Sequence, residues 1–183
     1  MKNTLWGKIL VPVLIVAVIG AMWFIKNGSN DADLPILMEP TGNQPNGADF
    51  SLNATELIDY EVLSEYGLPI IVDYGADSCV PCKQMAPVLQ TLNTEMQGKA
   101  FIKFVDVWKY YEAAANVPIQ LIPSQVIFNP DGTPYKPSGD VANQIGGFKM
   151  YSDQESGEHI FTVHEGGFTE EQMRLILAEM GVE

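Results

Sequence analysis

A chain of 183 residues with 10 Lys and Arg against 23 Asp and Glu, a formal net charge of −13, repels phosphate backbones and anionic headgroups alike, which argues against nucleic acid as a partner. Its length has room for one ordinary domain of about 100–150 residues plus an extension. The only two cysteines, Cys79 and Cys82, stand too close together to staple distant segments, so a disulfide scaffold is excluded and their value is chemical.

Lys2 and Lys8 precede an apolar run from Ile9 to Ile25, and Lys26 closes it before the polar Asn27-Gly28-Ser29-Asn30-Asp31. At the helical rise this run reaches about 25 Å, slightly short of the ~30 Å hydrocarbon core but within what snorkelling lysines accommodate. Trp6 and Trp23 would sit near the two interfaces. A removed signal peptide needs a small-x-small cleavage site, which does not follow Ile25, and a continuous apolar run lacks the polar face of a globular helix. The expectation is a transmembrane anchor over residues 9–25. The positive end, residues 1–8, stays cytoplasmic, so the remainder faces the extracytoplasmic space, where disulfides form and persist. Residues 26–49, with Pro35, Pro40 and Pro45 among glycines and Asn, read as a linker.

A compact domain is expected over residues 50–183. Leu68 to Tyr74 is a β-branched run bounded by glycines, as in a buried strand. From Pro81 to about Met96 the spacing of Met85, Val88, Leu89 and Leu92 predicts a helix ended by Gly98. Phe101 to Val107 predicts a strand, Tyr110 to Ala115 a short helix, and Ser124 to Phe128 a strand stopped by the turn Asn129-Pro130-Asp131-Gly132. Strands alternating with helices imply right-handed crossovers and parallel pairing in the core sheet. Phe148–Tyr151 and His159–Val163 flank a turn-rich segment and predict a hairpin. Thr169 with Gln172 forms a capping box, Phe168 and Met173 a staple, and Gly181 a C-terminal cap, so a last helix spans about 169–180.

The C-x-x-C pair falls where the first strand meets its helix. There the helix's unpaired N–H groups favour a thiolate on Cys79, the nucleophile. Lowering a thiol pKa from about 8.5 to about 7 raises the thiolate fraction at pH 7 from about 3% to about half. Cys82, one turn along, is placed to resolve a mixed disulfide formed by Cys79. Pro81 fits the first helical turn, and Lys83 adds positive charge that tunes the thiol. Asp73, a carboxylate in an apolar run beside the thiols, reads as buried and perturbed. A zinc site built from Cys79, Cys82, His159 and His164 is the competing reading. However, 76 residues separate Cys82 from His159, and the odd offset between the histidines points them to opposite faces of a strand. No metal is expected, and both histidines read as hairpin residues without catalytic duty. Trp108, Tyr110 and Tyr111 read as packing or rim residues.

Val72-Asp73-Tyr74-Gly75-Ala76-Asp77-Ser78-Cys79-Val80-Pro81-Cys82-Lys83-Gln84-Met85-Ala86-Pro87 resembles the active-site segment of the thioredoxin family. Ile122-Pro123-Ser124 ahead of an apolar strand resembles that family's cis-proline loop, and Pro87 matches the proline that kinks its active-site helix. The resemblance covers residues 52–135 and, more loosely, the final strand and helix. It implies an α/β, thioredoxin-like fold with a central mixed β-sheet flanked by helices. It also implies thiol-disulfide oxidoreductase activity on disulfide-containing protein substrates, with no cofactor and with Val80, Pro81, Ile122 and Pro123 contacting substrate. Asp73 matches the family's buried acid that assists proton transfer. The departures are Gly75 and Ser78 in place of two tryptophans, Val80 in place of a glycine, and Phe104 where a lysine neighbours the acid. Residues 137–163 are longer than the family's simple turn, which implies a hairpin inserted before the last helix. An anchored reductase needs electrons passed across the membrane, so a membrane-embedded thiol carrier is an expected partner. The same residues at another potential would serve an oxidase or isomerase. A non-enzymatic module that holds a partner through the inserted hairpin is the alternative from a different class.

Overall fold

The structure, a computed structural model, describes residues 47–182. The expected anchor at 9–25 and most of the linker lie outside the described residues. Among the described residues no helix is long and apolar enough to cross a membrane.

In chain order the elements are β1 (Asn53–Ala54), α1 (Tyr60–Ser64), β2 (Ile70–Gly75), α2 (Val80–Glu95), β3 (Phe101–Asp106), a 3₁₀ turn (Tyr111–Ala114), β4 (Ser124–Phe128), α3 (Gly139–Ile145), β5 (Phe148–Ser152), β6 (His159–Glu165) and α4 (Glu170–Glu179). The strands form one six-stranded sheet in the order β1-β3-β2-β4-β6-β5. β2 lies near its middle and is buried at every position, which is why its sequence is a continuous apolar run rather than an alternating one. One face carries Ile71, Ile102 and Ile127, packed with Met85, Leu89 and Leu92 of α2 and Met173, Ile176 and Leu177 of α4. The other carries Ile70, Val72, Tyr74, Phe101, Val105 and Val126, covered by Phe50 and Ile58. The two-residue period of a strand therefore turns Asp73 to the same side as Ile71, under α2.

β1, β3 and β2 pair in parallel. The expectation of parallel pairing fails beyond them, because β4 runs antiparallel to β2 with Ser124 opposite Tyr74. The reason lies in the connection. β3 ends at Asp106 beside Gly75, and between Val107 and Pro123 the chain makes only a 3₁₀ turn, so no crossover helix carries it back across the sheet and β4 re-enters from the end that β3 left. That turn also stands where a short helix was expected. The mixed sheet that the family resemblance implied is the one formed.

The expected hairpin forms between β5 and β6, but it accounts for only part of the insertion. Helix α3 precedes it, with Ser138 as a side-chain cap on Val141 N–H. β6 also has a second partner, since Val163–Glu165 pair antiparallel with Val126–Ser124 of β4. The inserted region thus continues the main sheet instead of standing apart from it. The capping box of Thr169 and Gln172 forms at the start of α4 as expected.

Candidate active site

The site is assembled at the carboxyl end of β2. Cys79 is the N-cap of α2, with an extended backbone, and its sulfur accepts from the Cys82 backbone N–H at 3.3 Å. Pro81 stands in the first turn, where its missing N–H costs nothing. Cys79 and Cys82 are joined as a disulfide with their Cα atoms 5.3 Å apart. Val80 between them is 65% exposed, whereas Cys82 is 4% exposed. Both cysteines are thus largely covered in the disulfide form, Cys79 at 9%, and it is Val80 between them that stands out at the surface. Pro81 and Lys83 are exposed beside them.

Ile122 packs against Ala76, Cys79 and Cys82. The Ile122–Pro123 bond is cis, Pro123 is buried, and its carbonyl accepts from Gly166 N–H at 3.0 Å. The loop 76–78 is tied to the one after β3 by Asp106. Burial pushes the Asp106 carboxyl up, but hydrogen bonds from the backbone N–H groups of Asp77, Lys109 and Trp108, with the Lys109 charge, hold it below the usual range. Lys109 in turn pairs with Asp77.

Asp73 has no exposed surface. Burial raises its carboxyl from an ordinary 3.8 to about 7, a rise opposed by a hydrogen bond from Gln125 Nε2 to Oδ1 at 2.6 Å. Its other oxygen, Oδ2, has no hydrogen-bond partner among the described residues. A Cβ at Gly75 would lie 3.2 Å from Cys82 Sγ, 3.3 Å from Asp73 Oδ2 and 2.9 Å from Phe104 Cε2. The Cys82 sulfur and the unpartnered oxygen thus border one small space that a side chain at position 75 would fill. On the same side a cavity of about 130 Å³ is lined by Ala76, Cys82, Lys83, Leu89 and Phe104.

The residues singled out in the sequence fall into one neighbourhood: Cys79, Val80, Pro81, Cys82 and Lys83 on α2 and its cap, Ile122 and Pro123 across from them, and Asp73 beneath. The competing zinc set does not assemble. His159 Nε2 contacts Phe161 O, His164 Nδ1 contacts Gln125, and among the described residues no group of three or more His, Cys, Asp and Glu side chains converges to hold a metal ion. Sequence reasoning missed Gln125 and His164. The available signal was a glutamine at the start of a buried strand, leading into Val126-Ile127-Phe128, since a buried amide demands partners.

The thioredoxin family model matches residues 54–146. The chain belongs to the thioredoxin family. It is 38% identical over 78 residues to Thioredoxin C-2 of Corynebacterium nephridii, covering 43% of this chain and 66% of that protein. It is 38% identical over 76 residues to a thioredoxin of Staphylococcus aureus, covering 42% and 71% respectively. For Thioredoxin 1 of Chlorobaculum tepidum it is 38% over 61 residues, 33% and 60%. The chain thus spans just under two thirds of the length of the first of these thioredoxins and less of the last. Among solved structures, chloroplastic thioredoxin z is 22% identical with a TM-score of 0.44, covering 69% of this chain and 94% of that one. Fasciola hepatica thioredoxin is 23% identical with a TM-score of 0.43, covering 66% and 88%.

Because the folded-state pKa of Asp73 lies above its unfolded value, its contribution to stability is fully present below about pH 4 and is lost as pH rises through about 7. Asp73→Asn, neutral throughout, is expected to stabilise the protein at pH 8 by on the order of 2–4 kcal/mol relative to its effect at pH 3.5. Urea unfolding of both proteins across that range checks this; identical pH dependence in the two would contradict it.

Proposed function

We propose that this thioredoxin-family protein is a thiol-disulfide oxidoreductase that reduces disulfides in client proteins. The observation that carries the reading is the Cys79–Cys82 disulfide at the head of α2, with Cys79 Sγ on a backbone N–H and the cis-proline loop packed beside it. In the reduced enzyme, Cys79 thiolate attacks one sulfur of a client disulfide, forming a Cys79–client disulfide and expelling the other client sulfur as thiolate. Cys82 then gives up its proton toward Asp73 and attacks Cys79 Sγ. The Cys79–Cys82 disulfide forms, the second client sulfur leaves, and the client has gained two electrons that the pair has lost. Asp73 suits the acceptor role because its buried carboxyl, raised to about 7, takes up and releases a proton near neutrality. Exposed Val80 and Pro81, with Ile122 and Pro123, form the surface against which the client backbone docks.

The domain works outside the cytoplasm on an anchor formed by residues 9–25, and a membrane-embedded thiol carrier returns electrons to it. The support for this placement is the apolar run between Lys8 and Lys26, with acidic residues following on the far side.

Reduced full-length protein is expected to reduce insulin disulfides. Cys79→Ser should abolish turnover. Cys82→Ser should stall as a covalent client adduct, visible on non-reducing gels and cleared by a small thiol. A wild-type chain without turnover would instead favour a binding module built on the same fold. In intact cells under mild reduction, a membrane-impermeant maleimide should label Cys79 with no permeabilisation; labelling that required permeabilisation would refute the proposed orientation.

A further inference from the structure

Three polar side chains on three adjacent strands stand in register across the sheet, with Asp73 on β2 opposite Gln125 on β4, and Gln125 opposite His164 on β6. All three are buried, and they form one chain. Gln125 Nε2 donates to Asp73 Oδ1 at 2.6 Å, and Gln125 Oε1 lies 2.7 Å from His164 Nδ1. A carboxamide oxygen only accepts, so the neutral ring must carry its hydrogen on Nδ1. Both ends of the glutamine amide are then committed.

The far end of the chain is clamped. The His164 ring stacks on Phe168 with centroids 3.8 Å apart and meets Phe148 of β5 at 5.3 Å. A Cβ at Gly147, whose φ is +70°, would lie 2.9 Å from His164 Nε2, so the chain leading into β5 closes over the ring only because that residue is glycine. The inserted region therefore holds the imidazole in place.

We infer that Gln125 and His164 are positioning residues for Asp73: His164, donating to Gln125 Oε1, holds the amide with its N–H toward the carboxyl group that receives the proton of Cys82. An unanchored glutamine could turn its oxygen to Asp73, setting lone pair against carboxylate. Anchored, it always presents a donor and so favours the ionised acid against the cost of burial. The groups facing this chain are few. α2 supplies Cys82 and the thioether of Met85, which Gln125 Nε2 also meets at 3.4 Å. β3 supplies the apolar Phe104, and the segment before α4 supplies Phe168. On β6 the neighbouring Glu165 is tied to Lys149 of β5. Burial keeps the His164 ring neutral, with its pKa lowered to about 4 despite the Glu165 charge and a backbone hydrogen bond with Gly166, both of which favour the charged ring.

This inference rests on the proposed role of Asp73, and its test is separable from turnover. In the oxidised full-length chain, the Asp73 carboxyl is titrated by isotope-edited infrared spectroscopy. Gln125→Met should move the midpoint up by about one to two pH units. His164→Phe should move it in the same direction by less. His164→Asn, whose amide can donate from near the Nδ1 position, should return it toward wild type. The pH profile of the Cys82 resolution step should follow the same order. A wild-type midpoint in both Gln125→Met and His164→Phe would overturn the inference. Should either variant fail to fold, ¹⁵N NMR of wild-type His164 decides: a proton on Nδ1 between pH 5 and 8 is expected, and a proton on Nε2 alone would overturn it. A catalytically silent chain that still shows the shifts would sink only the oxidoreductase reading, and an active chain without them only this one.

Discussion

A sulfur held at the first turn of a helix, where backbone N–H groups have no partner within the helix, is the interaction on which the rest depends. In this protein Cys79 Sγ occupies the cap position of α2 and accepts from Cys82 N–H. The contact does two things at once. It satisfies an orphan donor, and in the reduced pair it favours the ionised form of Cys79, the thiol proposed as nucleophile. Everything nearby serves to keep that sulfur where it is: central strand β2 delivers the chain at its carboxyl end, Asp106 ties the approach loop to the next one, and Ile122 closes the side.

Beneath the helix the sheet does a different job. Its order brings three strands of alternating direction side by side, and the registers align Asp73, Gln125 and His164 along one row. A row of polar groups inside an apolar layer is tolerable only where each has a partner. Here the chain ends at Asp73 Oδ2, which faces the space bordered by Gly75 and Cys82. This unpartnered oxygen thus lies beside the Cys82 sulfur, where the proposed mechanism needs a proton acceptor.

Much of this was legible in the sequence because the signals were local. A buried strand leading into a helix and a C-x-x-C across their junction specify their own geometry within a few residues, whereas the cis-proline loop at Ile122–Pro123 was carried by the family resemblance. The capping box at Thr169 was equally local for α4. What escaped was set by tertiary context. The direction of β4 depends on where the chain from Val107 to Pro123 ends, which no periodicity records. The short elements β1 and α1 span fewer residues than a pattern needs. Helix α3 was readable only from Ser138 with Val141 and Ile145. His164 looked like one residue of a surface hairpin, because nothing in His159–Val163 reveals that β6 also pairs with β4 and carries His164 into the core. Gln125 was passed over because its partners come from strands 52 and 39 residues away in the chain.

The central claim is that Cys79 and Cys82 form a reversible redox couple. Equilibrating the full-length chain in dithiothreitol buffers of graded ratio, quenching with acid and counting free thiols by alkylation and mass tests it most directly. A single transition between zero and two alkylated cysteines is expected, following a two-electron Nernst curve and approached equally from the oxidised and the reduced side. A pair whose thiol count ignored the buffer, or settled at one, would contradict it.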